Sequence, residues 1–257
     1  MATNENGRCG KIQKDLIDLM LKDHTLRFDN SFMDTDERTE TEFKVNSSKL
    51  LADDFSSVAD LLLCKIQSDI YNNIGVDCIV GYGDSGTILS TAIQTILQED
   101  QKRPKNEQHY NLKEYRWAYL NKNGEVIGNL TPGDRVAIID EIGIHYNSII
   151  KAIPKINSTI DYLVTSGKCK TEDANKKFSY PVVLVGLDLM VVDPEHGKYR
   201  KDIVAEQIRN SYNPNIETKI LSIITIENFI EYVGEERKEI IKSYVNLQKS
   251  KLTNKPT

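Results

Sequence analysis

Three short stretches of this chain hold residues whose types and spacing could do chemistry. Gly81-Tyr82-Gly83-Asp84-Ser85-Gly86 follows a short apolar run and precedes a helical pattern. It fits GxGxxG, in which glycines let backbone N–H groups reach a pyrophosphate at a helix N-terminus. A dinucleotide site also needs a second strand, ending in an acid, about 20 residues further on. Here that region is a charged run holding Glu99 and Asp100. Two other readings stay open: a tight turn packed on the helix, and an anion site, which Asp84 would oppose by charge repulsion. The second stretch is Asp140-Glu141 at the end of an apolar run. Paired acids at a strand end can hydrogen-bond ribose hydroxyls or hold Mg²⁺ through water. Equally, Glu141 could be solvated and Asp140 could cap the next helix. The third, Tyr110 to Arg116, carries Lys113 and Arg116. A mobile basic hairpin can close over a phosphate and supply positive charge, although a solvated strand shows the same alternation. His24, His109, His145 and His196 have no metal-ligand spacing, and neither HExxH nor GxSxG occurs.

These residues need a scaffold, and the apolar pattern supplies one. VDCIVG (76–81), RVAIID (135–140), VVLVGLD (182–188) and KILSIITI (219–226) read as buried strands separated by helices. That order argues for a parallel sheet covered on both faces, with ligands beyond the carboxyl ends of its strands. The spacing of Ile12, Leu16, Leu19 and Met20 predicts a helix over 11–22. A second helix is expected from Ser56 or Ser57, carrying Val58, Leu61, Leu62 and Ile66. Asn121-Lys122-Asn123-Gly124 predicts a hairpin between EYRWAYL and EVIG. Further helices are expected from about 147 and over 200–211, with a polar insertion at roughly 158–180 and two closing helices. We expect a flexible N-terminus over 1–10, one domain over 11–245 and a polar tail over 246–257.

A chain of 257 residues with a net charge of −5 offers no electrostatic reason for a nucleic-acid or membrane partner. No apolar run approaches the roughly 18 residues that cross a bilayer, and a cytoplasmic protein is expected. Cys9, Cys64, Cys78 and Cys169 show no CxxC pairing, so buried reduced thiols are expected.

Taken in order, the segments resemble the orotate phosphoribosyltransferases over roughly residues 11 to 245. Leu26-Arg27-Phe28 and Phe32 are similar to that family's lead-in, and Arg38 with Phe43 falls at its orotate segment. Asp77 to Gly81, then Gly86 and Leu89, resembles its strand and pyrophosphate loop. Tyr110-Asn111-Leu112-Lys113-Glu114 is similar to its catalytic loop. Gly133-Asp134-Arg135-Val136, leading to Asp140-Glu141, resembles the strand into its ribose-binding acids. Val182 to Asp188, Leu221 to Thr225 and Phe229 to Tyr232 resemble its later strands and closing helix. The resemblance implies a type I phosphoribosyltransferase-like α/β fold: a parallel sheet flanked by helices, a flexible hairpin loop and a small N-terminal hood. It also implies a dimer, with Mg²⁺ entering only alongside phosphoribosyl pyrophosphate. On the family pattern Lys113, Arg116 and Asp140 are the catalytic positions. Gly81, Gly83, Ser85, Gly86, Asp140 and Glu141 would bind the ligand.

The departures from that pattern fall on the chemistry. Ile144, His145, Tyr146 and Asn147 stand where the family has a cradle of small residues around a 5′-phosphate. Ser85 replaces the pyrophosphate lysine, Leu112 the loop's leading arginine, Ala118 its histidine and Leu189 the orotate arginine. Charge-assisted contacts contribute about 1.5 kcal/mol each at the low end. Three together cost about 4–5 kcal/mol, roughly a thousandfold in affinity. The expectation is a relative with lost or greatly weakened phosphoribosyl transfer, serving as a binding or regulatory subunit. It would be a homodimer, or a heterodimer with a family member. The alternatives are an active transferase making orotidine 5′-phosphate from orotate and phosphoribosyl pyrophosphate, and a dinucleotide-binding protein.

Overall fold

Three of the four apolar runs behave as strands buried on both faces, and the last, at the sheet edge, is mostly half-buried. A computed structural model describes residues 2–22, 25–28, 32–33, 40–41, 43–66, 75–108, 110, 115–121, 125–144, 146–212 and 215–253. The side chains of 2–8, 32–33, 40–41, 47–54, 174 and 253 are not described. Helix α1 (Ala2–Lys22) is followed by short strands β1 (Leu26–Arg27), β2 (Phe32–Met33), β3 (Glu40–Thr41) and β4 (Lys44–Val45), then α2 (Ser47–Lys65). The main unit then runs β5 (Cys78–Tyr82), α3 (Gly83–Gln101), β6 (Arg116–Leu120), β7 (Val126–Gly128), β8 (Arg135–Gly143) and α4 (Asn147–Thr165). It continues through β9 (Ser179–Asp188), β10 (Val192–Asp193), β11 (Lys198–Tyr199), α5 (Arg200–Tyr212), β12 (Lys219–Thr225) and α6 (Glu235–Thr253). Short 3₁₀ turns cover Thr171–Asn175 and Ile226–Glu231.

The six-stranded sheet has the order β12-β9-β8-β5-β6-β7. The four expected strands are mutually parallel, β6 is parallel to β5, and β7 returns antiparallel as the expected hairpin. The turn residues 122–124 lie outside the described residues. Side-chain alternation divides β8 between two cores. Ala137 and Ile139 face the core built with α1, α2 and α3. Val136 and Ile138 face the core built with α4 and α5. All ten residues of β9 are buried, which is why its sequence is a continuous apolar run and not an alternation. At the hood, Phe43 is buried against Tyr244 of α6, ring centroids 4.9 Å apart at 81°. Arg38 lies outside the described residues.

Several expected boundaries move. Helix α1 starts at Ala2, earlier than the expected residue 11. Ser56 and Ser57 lie inside α2, which begins nine residues earlier at Ser47. The insertion shrinks from both sides, since α4 continues to Thr165 and β9 begins at Ser179. The tail is helical as far as Thr253, anchored by Gln248, whose Oε1 accepts the Val192 N–H at 2.9 Å.

The cysteines require a correction. Cys9 and Cys64 form a disulfide, with Cα atoms 6.2 Å apart. They lie 55 residues apart in sequence, and the packing of α1 along α2 brings them together, so spacing along the chain could not have announced the pair. Cys78 and Cys169 are free thiols. Burial pushes the Cys78 thiol up to about 12. Gln13 adds a second tie for α1, its Nε2 donating to the Ile223 carbonyl of β12 at 2.8 Å. In the chain-entropy account, a link closing a loop of this length stabilises by up to about 4 kcal/mol. Reduction, or Cys9→Ser, is therefore expected to lower the urea midpoint. Equal midpoints with and without reductant would show that the link contributes nothing.

Candidate functional site

At the carboxyl end of β5 the chain turns at Gly83 (φ +66°) directly into α3. The flanking glycines are fixed by contact. A Cβ on Gly81 would lie 2.2 Å from the Gly86 carbonyl oxygen, and one on Gly86 would lie 2.6 Å from that of Ile139. Only bare backbone lets α3 press onto β5 and β8 this closely. The GxGxxG spacing is thus accounted for as a tight turn packed on the helix. Asp84 stands in the first turn of α3, where the helix dipole would otherwise favour a bound anion. Ser85 is half-buried beside it.

The acidic pair does not end its strand. β8 runs three residues past Asp140, its ladder with β9 reaching Ile142↔Leu187 and Gly143↔Asp188. Asp140 shares the parity of Val136 and Ile138, which turns it toward α4 and leaves it 5% exposed. Its Oδ1 accepts the Glu141 N–H at 3.0 Å, and its Oδ2 accepts the Ser148 hydroxyl. Burial strips water from this carboxylate, and Glu141 adds a hydrogen bond and like charge, so its pKa is raised well above the usual carboxylate range.

Above it, Tyr146 takes a left-handed conformation (φ 58°) as the residue preceding α4. Its side chain is 3% exposed. The ring lies over Gly143, where an added Cβ would come within 2.4 Å of the tyrosine oxygen. The Tyr146 hydroxyl is buried beside Asp188, and no hydrogen bond of normal geometry reaches it among the described residues. Burial and the nearby charge of Asp188 raise its pKa strongly. Asp188, 2% exposed at the end of β9, accepts Lys201 Nζ at 2.9 Å and the Met190 N–H at 2.8 Å. Met190 (φ 56°) is the other non-glycine residue with positive φ among those described. Two strained turns therefore flank Asp188, a pattern associated with functional sites. Sequence reading passed over Lys201 and Met190, and took Asp188 as the carboxyl end of a strand without giving it a role. The signal that could have found Asp188 was its place as a lone acid closing a ten-residue buried strand.

The remaining expected residues are not gathered here. Lys113 lies outside the described residues. Arg116 opens β6, and Cys78 pairs with both Arg116 and Val136. Arg116 therefore stands four residues, about 13 Å of strand, before Asp140. There its Nη2 pairs with Asp134 at 2.5 Å and its Nη1 bonds Thr131. Leu189 is buried in the core, with the Tyr244 hydroxyl donating to its carbonyl at 3.0 Å. One group, Asp193, Glu195 and His196, has metal-ligand types close together. Arg200 and the His196 ring already bind Asp193, and its carboxylate accepts the backbone N–H groups of Glu195 and His196. Together these contacts make it the organiser of the β10–β11 turn.

This architecture has counterparts among solved structures. The orotate phosphoribosyltransferase of Francisella tularensis is similar over 90% of this chain and 96% of its own, with a TM-score of 0.61 and 17% identity. The chain has the orotate phosphoribosyltransferase fold. The Aeropyrum pernix orotate phosphoribosyltransferase is similar over 84% of this chain and 98% of that one, at 16% identity and a TM-score of 0.51. Leishmania donovani UMP synthase is similar over 92% of this chain but 42% of its own length, at 13% identity and a TM-score of 0.59. No protein-family profile matches the chain, and no curated protein does. The expected type I phosphoribosyltransferase scaffold is therefore present. No helix among the described residues is long and apolar enough to cross a membrane.

Two outcomes are expected. Tyr146→Phe removes a buried hydroxyl that makes no hydrogen bond of normal geometry, so it should leave stability unchanged or raise it by up to about 1 kcal/mol. A loss larger than that in urea unfolding would mean that the hydroxyl has a partner. Asp140 has a folded pKa above its unfolded value of about 4, so the folded chain holds a proton that the unfolded chain releases. Its contribution to stability falls as pH rises from there through the folded pKa. Asp140→Asn should thus gain on the wild type as pH rises from about 4 to neutrality, measured by urea midpoints across pH. Parallel profiles would contradict the buried, protonated acid.

Proposed function

We propose that this chain is a phosphoribosyltransferase-fold protein, homologous to the orotate enzymes of pyrimidine synthesis, in which phosphoribosyl transfer is lost or greatly weakened. It acts as a binding or regulatory subunit, as a homodimer or with an active relative. The observation that carries this reading is Tyr146. Its ring lies buried over Gly143 at the position where the resemblance implies a 5′-phosphate cradle. A phosphate there would meet an aromatic ring and the carboxylate of Asp188, where it needs N–H donors and cations.

The neighbouring subsites support the same reading. Gly81 and Gly86 are used up in packing, and Asp84 occupies the first turn of α3. Asp140 is turned away from the cleft toward Ser148. That leaves Glu141 alone of the acidic pair for ribose hydroxyls. Mg²⁺ would enter only with phosphoribosyl pyrophosphate, and one half-buried carboxylate does not fit a dedicated site for it. Arg116 is bound to Asp134 and Thr131 at the amino ends of the strands. Of the two expected basic residues, only Lys113 then remains to serve a cleft, its own or a partner's.

Calorimetric titration of phosphoribosyl pyrophosphate with Mg²⁺ should show no binding at millimolar ligand, and orotate should not be consumed. Micromolar binding abolished by Asp140→Ala would overturn the proposal in favour of an active orotate phosphoribosyltransferase.

A further inference from the structure

Between the last strand of the sheet and the end of helix α4 lies a cavity of about 560 Å³, lined by Glu125 to Gly128, Ser158, Thr159, Tyr162 and Lys168. One wall is the outer side of β7, with which nothing pairs among the described residues. The ladder with β6 decides which backbone groups face that way. The Asn121 N–H donates to the Glu125 carbonyl, the Asn129 N–H donates to that of Trp117, and Tyr119 is opposite Ile127. Bonded pairs alternate along an antiparallel ladder. Residues 125, 127 and 129 are therefore spent on β6, while Val126 and Gly128 turn their N–H and C=O groups outward.

Side chains alternate between the two faces as well. Val126 packs into the core shared with α4, so Glu125 points to the other face, where Asn121 Nδ2 donates to its Oε2 at 2.7 Å. The opposite wall belongs to α4. The Ser158 and Thr159 hydroxyls donate to carbonyls of their own helix, those of Lys155 and Ile156. Tyr162 is 57% exposed, and Lys168 Nζ lies 5.2 Å from the centre of its ring. Lys168 makes no ion pair among the described residues, and with Glu125 turned away the charge facing the cavity is positive.

We propose that the β7 edge and this cavity form a docking groove for an extended acidic segment of another protein, which adds to the sheet antiparallel to β7. The outward N–H and C=O groups of Val126 and Gly128 call for a strand, since in this orientation each residue exchanges both bonds with one partner residue. The ammonium of Lys168 calls for a carboxylate. Residues of the added strand opposite Val126 and Gly128 share their face, so their side chains enter the cavity. Helix α4 joins the parallel strands β8 and β9 and so runs the same way as β7. Lys168, just past the end of α4, therefore stands toward the Gly128 end. The residue opposite Gly128 is an aspartate or glutamate that reaches Lys168, and the one opposite Val126 is apolar and packs beside Tyr162. Main-chain bonds supply affinity and the alternate side chains supply selectivity, as in other strand additions. The groove shares no residue with the cleft around Asp140 and Tyr146, so a titration that revealed ligand binding there would leave it untouched.

Fluorescence anisotropy tests it, with the full chain titrated into a labelled, end-capped peptide of threonines carrying a glutamate and, two residues later, a valine. Saturable binding is expected. A lysine in place of the glutamate should weaken it about tenfold by placing like charges together. The exposed Lys168→Glu variant should reverse that preference and select the lysine peptide, a reversal that a misfolded protein could not show. N-methylation of the glutamate and valine amides, which removes the hydrogen bonds to β7, should abolish binding. Equal affinity for the two peptides, undiminished binding of the N-methylated one, or no binding at millimolar peptide would each overturn the proposal.

Discussion

The ladder between β8 and β9 governs the carboxyl end of this molecule. Because it continues to Gly143↔Asp188, the chain after Asp140 has no room for the open loop on which a phosphate site depends. Backbone groups that could have turned toward an anion are spent on the neighbouring strand. Parity then follows without further choice. Asp140 falls on the α4 face, and the chain re-enters a helix through a left-handed residue. The side chain of that residue, Tyr146, covers Gly143. Burial, the raised pKa of Asp140 and the ring above Gly143 are consequences of one strand running three residues past Asp140.

The opposite side of the site is closed by helix packing. Helix α3 approaches both β5 and β8 so closely that Gly81 and Gly86 have no space for a Cβ. A glycine-rich turn can serve a ligand or serve its own helix. Here the atoms nearest the missing Cβ positions belong to the protein. Asp188 ties the remaining pieces together, holding Lys201 from α5 and the N–H of Met190.

Much of the scaffold was legible from apolar runs, because strands buried on both faces leave a mark that no surface segment imitates. The hairpin was equally plain in Asn123-Gly124. What could not be read was where a ladder stops. Asp140 looks like the end of a strand, since acids seldom enter a core, yet hydrogen bonds from Ser148 and Glu141 make the exception tolerable. Arg116 looks like part of a mobile basic loop, yet the register of β6 puts it at the far end of the sheet. The Cys9–Cys64 link depends on how two helices lie side by side, which composition does not encode. For the site, the sequence named Asp140, Glu141 and Tyr146 and placed Asp188 at a strand end, but not its partners, which come from segments 2 and 13 residues away.

The placement of Tyr146 has an evolutionary consequence. Its ring and the bare backbone of Gly143 fit each other, so the ring cannot be lost, nor a side chain added at Gly143, without cost. Replacing a buried aromatic with a small residue costs about 3–5 kcal/mol through the cavity left behind. Positions 143 and 146 are therefore coupled: a small residue at 146 leaves a cavity that only a simultaneous change at 143 could begin to fill, so single substitutions at this turn meet a barrier that a paired change would avoid.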